Sequence, residues 1–68
     1  MLILSKDNEN LFDTACGPVA VAYDEEKEVW DIAGLSNCHY VALGEYETRE
    51  EACRKLMEIA LQGGAVQV

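Results

Sequence analysis

Reactive side chains fall close together at only a few places in this chain. Cys38 and His39 are adjacent, and a thiol beside an imidazole is what a cysteine nucleophile and its base require. Neighbouring strand residues point to opposite faces, so these two cannot form a dyad with each other. Cys16 could meet His39 only from another strand, and nothing in the sequence brings it there. A packed cysteine beside a surface histidine accounts for the pair. Cys16, Cys38, Cys53 and His39 also make a formal zinc set, but they lack the short knuckles that close such sites. Asp7-Asn-Glu-Asn10 and Asp24-Glu-Glu26 offer oxygen ligands without the alternating pattern and central glycine of a calcium loop. Solvated turns explain both. Gly63-Gly64 follows a helix rather than opening one, which marks a stop and not a phosphate cradle. Trp30 and the three tyrosines could stack on bases, yet only five basic residues back them, and Trp30 falls on the core side. The expectation is therefore a protein that is not an enzyme, with no catalytic residue, no metal and no cofactor.

Bulk properties narrow the partners. A chain of 68 residues makes one domain, residues 1–68, and buries only about 60% of its unfolded surface, so its stability is marginal unless it is stapled or oligomeric. The net charge is −8, from five Lys and Arg against thirteen Asp and Glu. That argues against binding nucleic acid directly or an anionic membrane through a general field. It fits solubility, a basic partner, or mimicry of a polyanion, and solubility alone explains a charge of this size. Met1 leads into three apolar residues and then Ser5-Lys6-Asp7, which is no secretory signal. No stretch approaches the ~18 apolar residues of a membrane span. Three widely spaced cysteines are no disulfide framework. A complete, cytoplasmic product with free thiols is expected.

The elements that would position these residues follow from the pattern. Leu2–Leu4 reads as a short strand, and Leu11–Ala15 resumes extended structure until Gly17-Pro18 interrupts it. Val19–Tyr23 and Val29–Leu35 form a hairpin across the solvated loop Asp24–Glu28. Ser36-Asn37 turn the chain into a last main strand, His39–Tyr46. Thr48-Arg-Glu-Glu51 is a capping box, with the Thr48 hydroxyl facing the Glu51 N–H and the Glu51 carboxylate reaching back to Thr48. The helix it opens should run from Arg49 to Gln62 and stop at Gly63. Ala65–Val68 is either a frayed tail or a short extra strand. The expected fold is α+β: an antiparallel sheet of four or five strands with one C-terminal helix packed on one face.

The middle strands look apolar on both sides, whereas a sheet with one wet face should alternate. Parity puts Val19, Val21, Tyr23, Trp30, Ile32, Val41 and Leu43 toward the helix. The opposite face would carry Ala20, Ala22, Val29 and Asp31, then Ala33, Tyr40, Ala42 and Gly44, with Tyr40 standing up from a flat surface of small residues. Bulges, above all at Gly17-Pro18, could flip the parity of a strand. On the helix, Met57 and Leu61 widen the apolar arc beyond the usual ~100° stripe. Open apolar surface usually meets a partner.

Two stretches carry a resemblance. The opening Met1-Leu-Ile-Leu-Ser-Lys-Asp7 and the block Leu43-Gly-Glu-Tyr-Glu-Thr-Arg-Glu-Glu-Ala52, followed by Leu56 and Ile59, resemble a group of short, functionally uncharacterised bacterial and bacteriophage proteins. The resemblance covers about a third of the chain. It implies a strand meander closed by one C-terminal helix, and a phage context. It carries no catalytic or ligand residue onto this sequence.

The leading expectation is a small protein-interaction module. It would bind a protein partner, basic if the acidic surface is used, or itself as a homo-oligomer. The candidate interface is Ala20, Ala22, Val29, Asp31, Ala33, Tyr40 and Ala42, with Met57 and Leu61 on the helix. The alternative is a binder of a signalling nucleotide, for which Lys6, Lys27, Arg49, Arg54 and Lys55 are the only basic residues.

Overall fold

The structure, a computed structural model, describes residues 1–36, 39–62 and 64–68. The expected turn at Asn37, the Cys38 thiol and the helix stop at Gly63 lie outside the described residues. The strands are β1 (Leu2–Leu4), β2 (Leu11–Asp13), β3 (Val19–Asp24), β4 (Val29–Ser36), β5 (His39–Tyr46) and β6 (Ala65–Gln67), with helix α1 (Arg49–Leu61) between β5 and β6. Among the described residues they form two three-stranded sheets, ordered β3-β4-β5 and β2-β1-β6. The fold is α+β, with antiparallel pairing throughout the larger sheet and the single helix packed against it.

The β3–β4 hairpin pairs Val19 with Gly34 through to Asp24 with Val29. Asp24 closes its loop as an Asx turn, Oδ1 accepting the N–H groups of Glu26 at 3.0 Å and Lys27 at 3.3 Å. The β4–β5 ladder slips by one residue: Ile32 faces Gly44 while Ala33 faces Ala42. Leu43 is thus the extra residue of a bulge, which turns it and Gly44 to the same side. Leu43 is 1% exposed in the core, and its carbonyl accepts the Lys6 N–H at 2.7 Å.

The smaller sheet completes the core. β1 runs antiparallel to β2, with Ile3 opposite Phe12, and parallel to β6, with Ile3 opposite Val66. Parallel neighbours need a long crossover, which the rest of the chain supplies. The C-terminal residues are therefore a strand and not a frayed tail, and Val68 N–H donates to the Leu4 carbonyl at 3.1 Å. The stretch after Phe12 does not stay extended to Ala15. It coils into a 3-10 turn, Thr14–Cys16, capped by Asp13 Oδ1 accepting the Ala15 N–H at 2.9 Å.

Helix α1 starts where the capping pattern puts it. The Thr48 hydroxyl accepts the Glu51 N–H at 3.2 Å, and Glu50 and Glu51 occupy the positive end of the dipole. Gln62 caps the other end, donating to the Glu58 and Ile59 carbonyls. Ala52 and Ile59 are buried, joining Ile3, Phe12, Ile32, Leu43 and Val68 in one cluster. Each fully buried aliphatic side chain there contributes about 1.5–3 kcal/mol. Phe12 packs so closely on Gly34 that a Cβ at Gly34 would run into its ring. Gly34 shares a face with Ile32, so α1 and the smaller sheet cover the same face of β3-β4-β5. No described helix is long and apolar enough to cross a membrane.

A candidate docking face

The face of β3-β4-β5 turned away from α1 follows from the register. β3 contributes Ala20, Ala22 and Asp24; β4 contributes Val29, Asp31, Ala33 and Leu35; β5 contributes Tyr40, Ala42 and Glu45. Neither α1 nor the smaller sheet covers it. The expected large residues, Val19, Val21, Trp30, Ile32, Val41 and Leu43, do pack on the core side. Tyr23 shares that side but lies at the sheet's margin, 49% exposed, with its ring centroid 5.0 Å from that of Trp30.

Two placements differ from the sequence expectation, those of Gly44 and Tyr40. Gly44 belongs to the core face, because the bulge at Leu43 shifts parity; a Cβ there would meet Tyr46 and Val68. The same shift brings Glu45 opposite Asp31 on the outer face. Tyr40 does not stand up. Its cross-strand partner is Leu35, yet its hydroxyl donates to Asp31 Oδ2 at 3.1 Å, four residues away along β4. The ring must therefore lie along the sheet, above the row that Ala33 occupies. Ala33 is accordingly only 1% exposed, although it lies on the face turned away from α1 and the smaller sheet.

Asp31 is the chemical centre of this face. It is 3% exposed, one carboxylate oxygen accepts from the Tyr40 hydroxyl, and among the described residues Oδ1 has no hydrogen-bond partner. A buried acceptor without a donor carries an uncompensated desolvation cost of about 1–3 kcal/mol. Burial pushes the Asp31 carboxyl above the usual aspartate range, and the charges of Glu45 and Asp24 add to it, against the Tyr40 hydrogen bond and Lys27. Burial and the neighbouring Asp31 push the Tyr40 phenol up to about 12. Lys27 bridges to Glu45 at 2.9 Å on the rim, an exposed pair of little energetic weight.

Two zones result. Around Ala20, Ala22, Ala33 and Ala42 the surface is flat and apolar, bordered by Leu35 (38% exposed) and Tyr40 (51% exposed). Beside it Asp24, Asp31 and Glu45 make an acidic end. Leu35 and Asp24 follow from the same parity as their neighbours, whereas Glu45 could not be placed without the bulge. Met57 and Leu61 are 67% and 83% exposed but lie on α1, across the sheet from this face, so the two candidate patches do not join.

Other features are weaker. An apolar groove of about 370 Å³ runs between α1 and the start of β3, lined by Met1, Ile3, Pro18, Val19, Leu56 and Ala60 among others. A shallow niche of about 320 Å³ is lined by Lys6, Asp7, Gly44 and Glu45. The basic residues do not converge there: Lys6 sits over the Tyr46 ring at 4.6 Å, Lys27 is taken by Glu45, and Lys55 by Glu58 at 3.4 Å. Among the described residues no group of three His, Cys, Asp or Glu is placed to hold a metal. Cys16 is an exposed free thiol and Cys53 a half-buried one.

No protein-family model matches the chain, and no curated protein or solved structure shows significant similarity to it.

Proposed function

We propose that this chain is a small non-enzymatic interaction module that receives a basic protein on the outer face of β3-β4-β5. The observation that carries this reading is Asp31: a buried carboxylate with one oxygen that has no partner among the described residues, on the sheet face turned away from α1 and the smaller sheet. Oδ1 is itself buried, so a partner's lysine or arginine would reach it only as the Tyr40 ring swings aside, and would then supply the missing donor in a charge-assisted hydrogen bond, one of the stronger kind. The alanines beside it allow close approach, and Tyr40 has the amphipathic, aromatic character of an interface anchor.

A foreign basic protein fits this face better than a second copy does. The chain carries thirteen acidic residues against five basic ones, and Lys27 and Lys55 are already paired. Face-to-face self-docking would set Asp24, Asp31 and Glu45 against a surface with few donors to offer. In the phage setting that the resemblance implies, the partner would be a host protein with a basic groove.

A signalling-nucleotide binder, the other expectation, needs converging cations, and the lysines engaged at separate places offer no support for it. The test is affinity capture from a bacterial lysate at low and high salt, with Ala22→Arg run beside the wild type and a nucleotide panel tested by thermal shift. A basic protein retained at low salt, released at high salt and lost with Ala22→Arg supports the reading. Thermal stabilisation by a nucleotide, or capture unaffected by salt and by Ala22→Arg, contradicts it.

A further inference from the structure

The edge of β3 that faces away from β4 is the longest unguarded strand edge among the described residues. In the larger sheet β3 and β5 are the margins, and β5 is guarded: its ladder is broken by the bulge at Leu43, whose carbonyl is taken by Lys6. The margins of the smaller sheet, β2 and β6, are three residues each, too short to template a partner. β3 has six residues, Val-Ala-Val-Ala-Tyr-Asp, with no lysine, proline or bulge inside it. Natural edge strands are normally blunted by one of those devices.

The hydrogen-bond phase of that edge can be read directly. Leu35 N–H donates to the Pro18 carbonyl at 2.9 Å, so these two are a bonded antiparallel pair. Alternation then makes Ala20, Ala22 and Asp24 the β3 residues bonded to β4. Val19, Val21 and Tyr23 point their N–H and C=O groups outward, and among the described residues no backbone group meets them.

We infer that β3 pairs antiparallel with β3 of a second copy about a twofold axis at Val21, giving one continuous sheet. Val21 then faces Val21 of the second copy, and Val19 faces its Tyr23, so every outward group of both strands is used. This register keeps core-side residues opposite core-side residues, as sheet continuity requires. It also disposes of the charge: Asp24 falls opposite Pro18 of the second copy, never opposite its Asp24. A parallel arrangement in register would stack the two aspartates. The helices end on one side of the joined sheet and the two alanine-rich faces lie together on the other. The pairing rests on backbone groups, so it stands or falls independently of the basic-partner reading. A domain of this size is also among those that gain most from association.

Salt separates the two. Each copy carries a net charge of −8, so screening should tighten the self-pairing, whereas it weakens docking of a basic protein. The experiment is sedimentation equilibrium of the wild type up to about 1 mM at low and high salt, a range that reaches associations as weak as a Kd of the same order. It is combined with amide hydrogen exchange by NMR at the lowest and highest concentrations. The expected result is a dimer favoured by salt, in which the Val19, Val21 and Tyr23 amides gain protection with concentration. The Ala20 and Ala22 amides should stay protected throughout. Val21→Pro, which removes an outward N–H and no bond to β4, should weaken the dimer by about tenfold or more. Unchanged Ala20 and Ala22 protection in that variant shows that it folds. A wild type that stays monomeric at all concentrations, or a dimer whose Val21 amide remains unprotected, overturns the inference.

Discussion

The Tyr40 hydroxyl donates to Asp31 Oδ2 at 3.1 Å, and among the described residues Asp31 Oδ1 has no donor. This one bond sets the character of the outer face. It draws an aromatic ring down along the sheet, hides Ala33, and keeps a carboxylate buried that would otherwise be solvated. The face is thus neither a second core, which would need bulk, nor an ordinary wet surface.

Tyr40→Phe removes the one side-chain donor that Asp31 has among the described residues. The buried carboxylate would lose a hydrogen bond to a charged group, a cost of about 2 kcal/mol. The Tyr40 bond also opposes the effect of burial on Asp31, so the Asp31 carboxyl should titrate higher still in the variant. Urea unfolding and carboxyl-carbon NMR titration read the two effects. Unchanged stability with an unshifted titration would contradict the assigned bond.

The raised Asp31 pKa has a definite sign in stability. Its folded value lies above the ordinary 3.8, so the folded chain holds this proton more tightly than the unfolded one. The stabilisation is fully present below the unfolded value and is lost as pH rises through the folded value. The wild type should therefore lose stability relative to Asp31→Asn as pH rises from the ordinary aspartate value of 3.8 through the raised folded value. Paired denaturation midpoints at the two ends of that window measure it. A wild type that gains on Asp31→Asn as pH rises would mean a lowered pKa, a carboxylate whose charged form the fold stabilises.

Phe12 and Gly34 tie the smaller sheet to the larger. Gly34→Ala would force the added methyl into the Phe12 ring, with a cost of about 1–3 kcal/mol. Phe12→Ala leaves a cavity and costs about 3–5 kcal/mol. Because the two share one space, the double variant should be more stable than the sum of the single losses implies. Strict additivity in urea unfolding would show that the two residues do not touch.

The sequence exposes some of this design and conceals the rest for physical reasons. Val19, Val21, Trp30, Ile32 and Val41 were placeable because large residues at period two mark the buried face. The Thr48 cap was placeable because its chemistry is local, although only the hydroxyl half of the box forms; Thr48 N–H makes no bond to the Glu51 carboxylate. Gly44 and Glu45 were not placeable, since their orientation depends on a bulge at Leu43 whose carbonyl bonds to Lys6, far away in the chain. The pairing of β6 with β1 likewise joins the two ends of the molecule, and no local pattern specifies it. Asp31 was readable as a lone charge on the outer face. Its burial was not, because it depends on the rotamer that Tyr40 adopts.

The central claim is that the outer face of β3-β4-β5, and not the exposed patch on α1, is where the partner docks. The most direct measurement is quantitative capture with the wild type, Ala42→Arg on the outer face and Leu61→Arg on α1, all from one lysate. Both substituted side chains are on the surface, so both variants should fold. The account predicts that Ala42→Arg loses the captured protein by roughly tenfold or more, while Leu61→Arg retains it at wild-type level. Loss with Leu61→Arg and retention with Ala42→Arg would contradict it.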